Sequence, residues 1–168
     1  MVGIRRSWAQ LALLALAVIG VGVSIYLAAV HYQAAPLACS TSGLIDCSRV
    51  LSSAYSVVPG TKIPISVPGL FWFIIAGALA SAVAFRWPDR RNLRIAMLAW
   101  TLLGLLSILY LVYVELVLLH TICIWCTALH ITIFAMFLIA VTQLQVPEWE
   151  EEEAEEEGEV EVVNTARD

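Results

Sequence analysis

TICIWCTALHITIFAMFLIAVTQL, residues 121–144, contains no Lys, Arg, Asp or Glu, and it opens on the pair Cys123-Ile124-Trp125-Cys126. A helix needs about 20 apolar residues to cross roughly 30 Å of hydrocarbon, so this run reads as a membrane span with a vicinal dithiol at its mouth. Residues 8–30, 68–85 and 95–119 read the same way. The break between the third and fourth runs is short and lies around His120 and Thr121, which makes those two helices antiparallel neighbours. The composition agrees: 61% of the 168 residues are hydrophobic and 14% charged, far from soluble globular usage. The expected fold is an all-α membrane protein, a bundle of four transmembrane helices in one domain over residues 1–147, followed by a tail at 148–168.

The first run could instead be a signal peptide, since Arg5 and Arg6 precede it, but a signal core is usually about 7–15 apolar residues and this one is longer. A lipoprotein signal ending at Cys39 fits poorly with Pro36-Leu37-Ala38 and with the polar residues 31–33 before it. Orientation follows from short-loop Lys and Arg, which resist translocation. Arg5, Arg6, Arg86, Arg90, Arg91 and Arg94 lie before the first span or between the second and third, whereas Arg49 and Lys62 alone occupy the loop between the first and second. Both termini are therefore expected in the cytoplasm. Residues 31–67 and the turn at His120 then face outward and gather all four cysteines, Cys39, Cys47, Cys123 and Cys126, on the oxidising side, where disulfides persist.

Residues 150–161 are almost wholly acidic and account for the net charge of -5. Such a run repels itself and buries no apolar surface, so a disordered, solvated tail is expected, with a partner-binding tail as the lesser possibility. No basic patch, Gly-rich phosphate loop or internal repeat is present, and nucleic acid is not an expected partner.

In Cys123-x-x-Cys126 the spacing puts both sulfurs on one face of a helical turn, close enough for a disulfide that opens and closes with little backbone movement. At a helix start, unpaired N–H groups and the positive dipole end favour thiolate over thiol. The bland reading of such a pair is two small buried hydrophobes. A zinc site of His120, Cys123, Cys126 and His130 is a further possibility, but it leaves Cys39 and Cys47 unexplained, and no metal is expected. Covalent haem fits less well still, because Thr127, and not His, follows Cys126. Cys39 and Cys47 bracket a small polar loop that could close into a disulfide. As a staple that loop would be structural; as a shuttle it would accept electrons from a soluble thiol protein and pass them inward through mixed disulfides. Two electrons delivered into a bilayer need a lipid-soluble acceptor, and no NAD or flavin fingerprint offers another.

These residues together resemble the vitamin K epoxide reductase family and its bacterial and archaeal homologues. The resemblance spans residues 8–144 and rests on the loop cysteines, the run Cys47-Ser48-Arg49-Val50-Leu51-Ser52-Ser53, the order of four helices, and Glu115-Leu116 leading into His120-Thr121-Ile122-Cys123-Ile124-Trp125-Cys126. It implies a bundle that holds a quinone (menaquinone, ubiquinone or similar) beside the dithiol, capped by the long extracytoplasmic loop with a short helix near residues 48–55. It further implies that Cys39 meets a separate exported thioredoxin-like protein, that Cys47 passes electrons to Cys123, that Cys126 delivers them to the quinone, and that Ser53 lines the quinone pocket. The animal members carry a tyrosine four residues after the last cysteine, where this chain has His130. They also carry an asparagine donor in the loop that here reads Ile65-Ser66-Val67-Pro68. Both departures weigh against epoxide as substrate.

His130 can donate a hydrogen bond or a proton to a quinone oxygen, or serve as a packed structural histidine. Glu115 is the carboxylate within a span, a functional candidate by default, or a partner for loop backbone. The expected activity is a quinone-dependent thiol oxidase that generates disulfides in exported proteins. The alternatives are a vitamin K quinone or epoxide reductase, and a non-catalytic membrane adaptor stapled by disulfides.

Overall fold

The computed structural model describes residues 2–39, 42–86 and 91–144; the acidic tail expected at 148–168 lies outside them, as does Arg90. Within the described residues the chain is helical, with the order α1 (Val2–His31), a short α2 (Cys47–Leu51), a 3₁₀ turn (Ala54–Ser56), α3 (Ser66–Ser81), α4 (Arg91–Tyr113) and α5 (Ile124–Leu144). Segments Trp8–His31, Ser66–Arg86, Arg91–Leu118 and Ile124–Leu144 are long and apolar enough to cross a membrane, giving the expected all-α membrane architecture. α1 packs chiefly along α3 and also along α5, and α4 runs beside α5.

Large apolar side chains such as Val18, Ile19, Phe71, Leu106 and Phe134 point outward, and the interior mixes Leu13, Phe73, Met97 and Met136 with small or polar residues: Ala17, Ser24, Ala76, Ala80, Thr101 and Ala140. With lipid as apolar as leucine, helices associate through close packing, and small side chains let the backbones approach. A Cβ on Gly20 would run into the Phe73 ring, and one on Gly77 would sit 3.3 Å from Ala17 Cβ. Gly20→Val is therefore expected to wedge α1 from α3 at a cost of about 1–3 kcal/mol, read as a lowered unfolding temperature in detergent.

Two helices end in π-turns, Ala82–Arg86 after α3 and Val114–Leu118 after α4. In the second, Leu119 N–H bonds to Val114 O at 2.9 Å, a wider turn that places Glu115 on the interior. His120 then takes the left-handed conformation (φ 51°) and turns the chain into α5. α4 and α5 are thus antiparallel neighbours across a short connection.

At this end of the bundle the loop after α1 is pinned to that connection. Ile122 N–H donates to Leu44 O (2.8 Å), Asp46 N–H to Ile122 O (3.1 Å) and Thr121 Oγ1 to Leu44 O (3.1 Å). Asp46 in turn caps α2, accepting from Arg49 N–H (3.1 Å) and from Ser48 Oγ (2.6 Å). These two bonds, the hydroxyl's first, hold its carboxyl below the usual range. The cap is at full strength above the ordinary carboxylate pKa and fades as pH falls through the lowered one.

Candidate active site

Cys39 and Cys47 are joined in a disulfide with Cα atoms 6.2 Å apart. Cys47, the first residue of α2, is fully buried, while Cys39 is half-buried at the end of an extended stretch. That stretch is clamped from two helices. Tyr26 of α1 donates its hydroxyl to Pro36 O (3.0 Å) and accepts from Ala38 N–H (2.7 Å). Trp125 of α5 donates its indole N–H to Ala38 O (2.8 Å), and the Tyr26 and Trp125 rings lie 4.9 Å apart. Tyr26→Phe removes two of these bonds, worth about 1 kcal/mol each. The expected result is faster amide exchange at Ala38 and faster reduction of the Cys39–Cys47 disulfide by external thiols.

Cys123 and Cys126 are free thiols. Cys123 caps α5: its carbonyl accepts from Thr127 N–H (2.9 Å) and its sulfur from Cys126 N–H (3.3 Å). The Cys126 thiol donates to the same sulfur at 2.9 Å. These bonds, the thiol's first, draw the Cys123 thiol below its ordinary pKa against the opposing pull of burial and of the Glu115 carboxyl. Cys47, Val50 and Cys123 form one buried cluster, against which Cys39, Cys126, Leu37, Leu51, Leu119 and Trp125 pack. The fold thus gathers all four sulfurs in a single cluster.

Beneath the cluster lies a cavity of about 670 Å³. Its walls come from α1, the segment 50–56, the start of α3, the second half of α4 with its π-turn, and the first turns of α5; Cys126 lines it, whereas Cys39, Cys47 and Cys123 do not. Ser53 and His130 both line it. The Ser53 hydroxyl donates to Val50 O (2.8 Å), which leaves its oxygen able to accept. His130 is buried on α5. Glu115 is buried at the cavity edge, with its carboxyl close to the Cys123 N–H and the Cys126 thiol.

The zinc arrangement weighed from the sequence is not assembled, for no group of three or more His, Cys, Asp and Glu among the described residues is placed to hold a metal ion. Three wall residues went unmarked in the sequence as donors: Ser24, Ser66 and Trp72. A lone serine inside the apolar run of α1 was the available signal for the first. Ser66 stood out only as part of the stretch lacking an asparagine.

Compared with individual curated proteins, the chain finds no match. The sequence profile of the vitamin K epoxide reductase family matches residues 11–141, which takes in all four cysteines and every wall of the cavity. A match of that extent settles the lineage that the paired thiols suggested: the chain belongs to the vitamin K epoxide reductase family, whose members are oxidoreductases acting on thiols and disulfides with quinones as electron partners.

Proposed function

We propose that the protein is a quinone-dependent thiol oxidase that takes electrons from a separate exported thioredoxin-like protein and so generates disulfides. The observation that carries the reading is the double placement of Cys126, which touches the Cys123 sulfur on one side and lines the apolar cavity on the other. The cavity fits a quinone ring: its volume is in the range of small-molecule sites, its walls are mainly apolar, and three buried polar side chains on them lack partners. Leu103, Leu106 and Tyr110 of α4 line it yet are about half exposed on the bundle surface, so a hydrophobic ligand can reach it sideways from lipid.

A bound quinone supplies the two-electron, two-proton acceptor. The chain's part begins with the thiols in the arrangement seen here, Cys39–Cys47 oxidised and Cys123 and Cys126 reduced. Cys123 and Cys126 together give up two electrons and two protons to that acceptor and close as the Cys123–Cys126 disulfide, with Glu115, the carboxyl beside the Cys126 thiol, placed to take up the proton that leaves it. His130 lines the same cavity, where its imidazole N–H can donate a hydrogen bond to a ligand oxygen.

The partner's thiolate next attacks Cys39, breaking the loop disulfide and freeing Cys47 as thiolate; the partner's second thiol resolves the mixed disulfide and leaves oxidised. Cys47 attacks Cys123 and expels Cys126 thiolate. Cys39 then attacks Cys47, restoring the loop disulfide and freeing Cys123. Each cycle moves two electrons, and the dithiol returns to its starting state.

In this reading both termini are cytoplasmic and the loop end faces outward, supported by the Arg-rich opposite end. The deciding experiment follows quinone consumption by the purified protein in lipid with a reduced thioredoxin-like dithiol protein. Consumption coupled to partner oxidation is the expected result. A folded protein that consumes no common quinone defeats the reading, and turnover confined to a quinone epoxide replaces it with an epoxide reductase.

A further inference from the structure

We infer that Ser24, Ser66 and Trp72 are the donors in the cavity wall that bind the carbonyl-bearing ring of the acceptor and select for it; the inference rests on the quinone reading above. Ser24 Oγ, Ser66 Oγ and Trp72 Nε1 are buried without a hydrogen-bond partner, and all three residues line the cavity. Ser24 is completely buried. Ser66, Gly69 and Trp72 recur every third residue and so share one face of α3. A Cβ on Gly69 would lie 3.8 Å from Ser24 Oγ, which brings that face against Ser24 of α1. The two helices thus bring Ser24 and the Ser66–Trp72 face to one side of the cavity, with Ser66 and Trp72 spread about 9 Å along α3.

Buried polar groups in a membrane protein are normally paired, since no water is present to satisfy them. Elsewhere in this bundle Thr101 and Thr132 bond back to their own helices, and Gln10 and Gln143 bond to each other at 2.8 Å through one amide atom each, which leaves Gln10 Oε1 and Gln143 Nε2 unpaired. Ser24, Ser66 and Trp72 lack even one such bond, and they do so where the wall meets the cavity. Trp72 identifies the missing partner, because an indole N–H can only donate and so the ligand must offer an acceptor. The indole is held by packing: its ring stacks on Trp100 with planes 12° apart, and Gly104 makes room where a Cβ would strike it.

Depth supports a ring bridging the cavity. Ser24 lies seven residues before the end of α1 at His31, about 10 Å, and Trp72 six residues into α3, about 9 Å. His130 lies six residues into α5, again about 9 Å. A flat ring with two carbonyls can thus present one oxygen to Ser24 and Trp72 and the other to the α5 side that carries Cys126 and His130, with Ser66 at the shallow end of the same wall. The fitting class is a benzoquinone or naphthoquinone.

The test measures binding directly, by titrating the purified protein in detergent with a short-chain benzoquinone and with a methyl-naphthoquinone, for the native chain, Ser24→Ala, Ser66→Ala, Trp72→Phe and the double serine variant. Each single change is expected to raise the quinone Kd about 3- to 10-fold, and the double variant more, without moving the KM for the dithiol protein. The unliganded unfolding temperature of Ser24→Ala is expected to hold or rise, because a hydroxyl without a partner has been removed. A merely structural serine gives the same thermal result with no change in Kd, and that outcome overturns the inference. Should Trp72→Phe fail to fold, the serine variants decide. A native protein that binds neither quinone removes the oxidase reading itself, whereas native binding with unchanged variants removes the donor subsite alone.

Discussion

Cys126→Ala is expected to stop quinone consumption, with a loss of about 10³-fold or more, the scale on which removing a reacting nucleophile acts. Among the described residues Cys126 is the one cysteine on the cavity wall, so no other thiol is placed to pass electrons to a ligand held there. Its replacement by alanine trades a small, partly buried side chain for a smaller one at the first turn of α5, and the fold should persist. The variant also has a chemical signature. With its α5 partner gone, Cys123 can exchange with the loop disulfide only reversibly, because Cys39 opens any Cys47–Cys123 bond again and restores its own bond to Cys47. Mass spectrometry of the alkylated, non-reduced protein should therefore find Cys39 joined to Cys47 and Cys123 still a free thiol after quinone is added. Continued quinone consumption by Cys126→Ala, beyond the rate of free thiols with quinone, would show that the acceptor takes electrons elsewhere.

The spans were legible because lipid imposes them. A run such as 121–144 has few alternatives once backbone groups must be satisfied internally, and its apolar length is visible without any neighbour. The short helix at Cys47–Leu51 followed from the resemblance, and the loop disulfide was open in the sequence as staple or shuttle. The ends of the spans were less legible. The expected third span ran to 119, and the structure closes it with a π-turn that ends at Leu118 and turns Glu115 inward, a change of hydrogen-bond register that no local pattern announces. The loop's attachment to Ile122 was invisible as well, since it depends on backbone groups of Leu44 and Asp46 far away in the chain.

The cavity was least legible of all. Ser53 and His130 were singled out through the resemblance, and the structure brings both to the wall that Cys126 reaches. Ser24, Ser66 and Trp72 share that wall because α1 packs on the Gly69 face of α3 and Gly104 admits the Trp72 ring beside α4. Such placement is a property of helix packing, and a serine in an apolar helix reads alone as a residue bonded to its own backbone, as Ser107 is here to Leu103 O at 3.0 Å.

Cys39→Ala separates the two halves of the relay. The half-buried Cys39 is the reachable sulfur of the loop disulfide, whereas Cys47 is fully enclosed. A folded thioredoxin-like partner can therefore attack Cys39 and not its mate, and turnover with that partner is expected to fall at least about 100-fold in the variant. A small dithiol such as dithiothreitol has another route. It can enter the cavity and reduce the Cys123–Cys126 disulfide at Cys126, so quinone turnover driven by it should persist after subtraction of the uncatalysed reaction. Opening the eight-residue loop costs about 2.5 kcal/mol by chain entropy, and a lowered unfolding temperature will accompany the substitution. The three bonds from residues 44 and 46 to the α4–α5 connection remain to hold the loop over Cys123, which keeps loss of folding distinct from loss of transfer. If Cys39→Ala oxidises the protein partner at the native rate, the loop is a staple and electrons enter at the α5 dithiol directly. If it loses both activities while still folded, the loop disulfide serves the dithiol step itself, and the order of transfer proposed here is wrong.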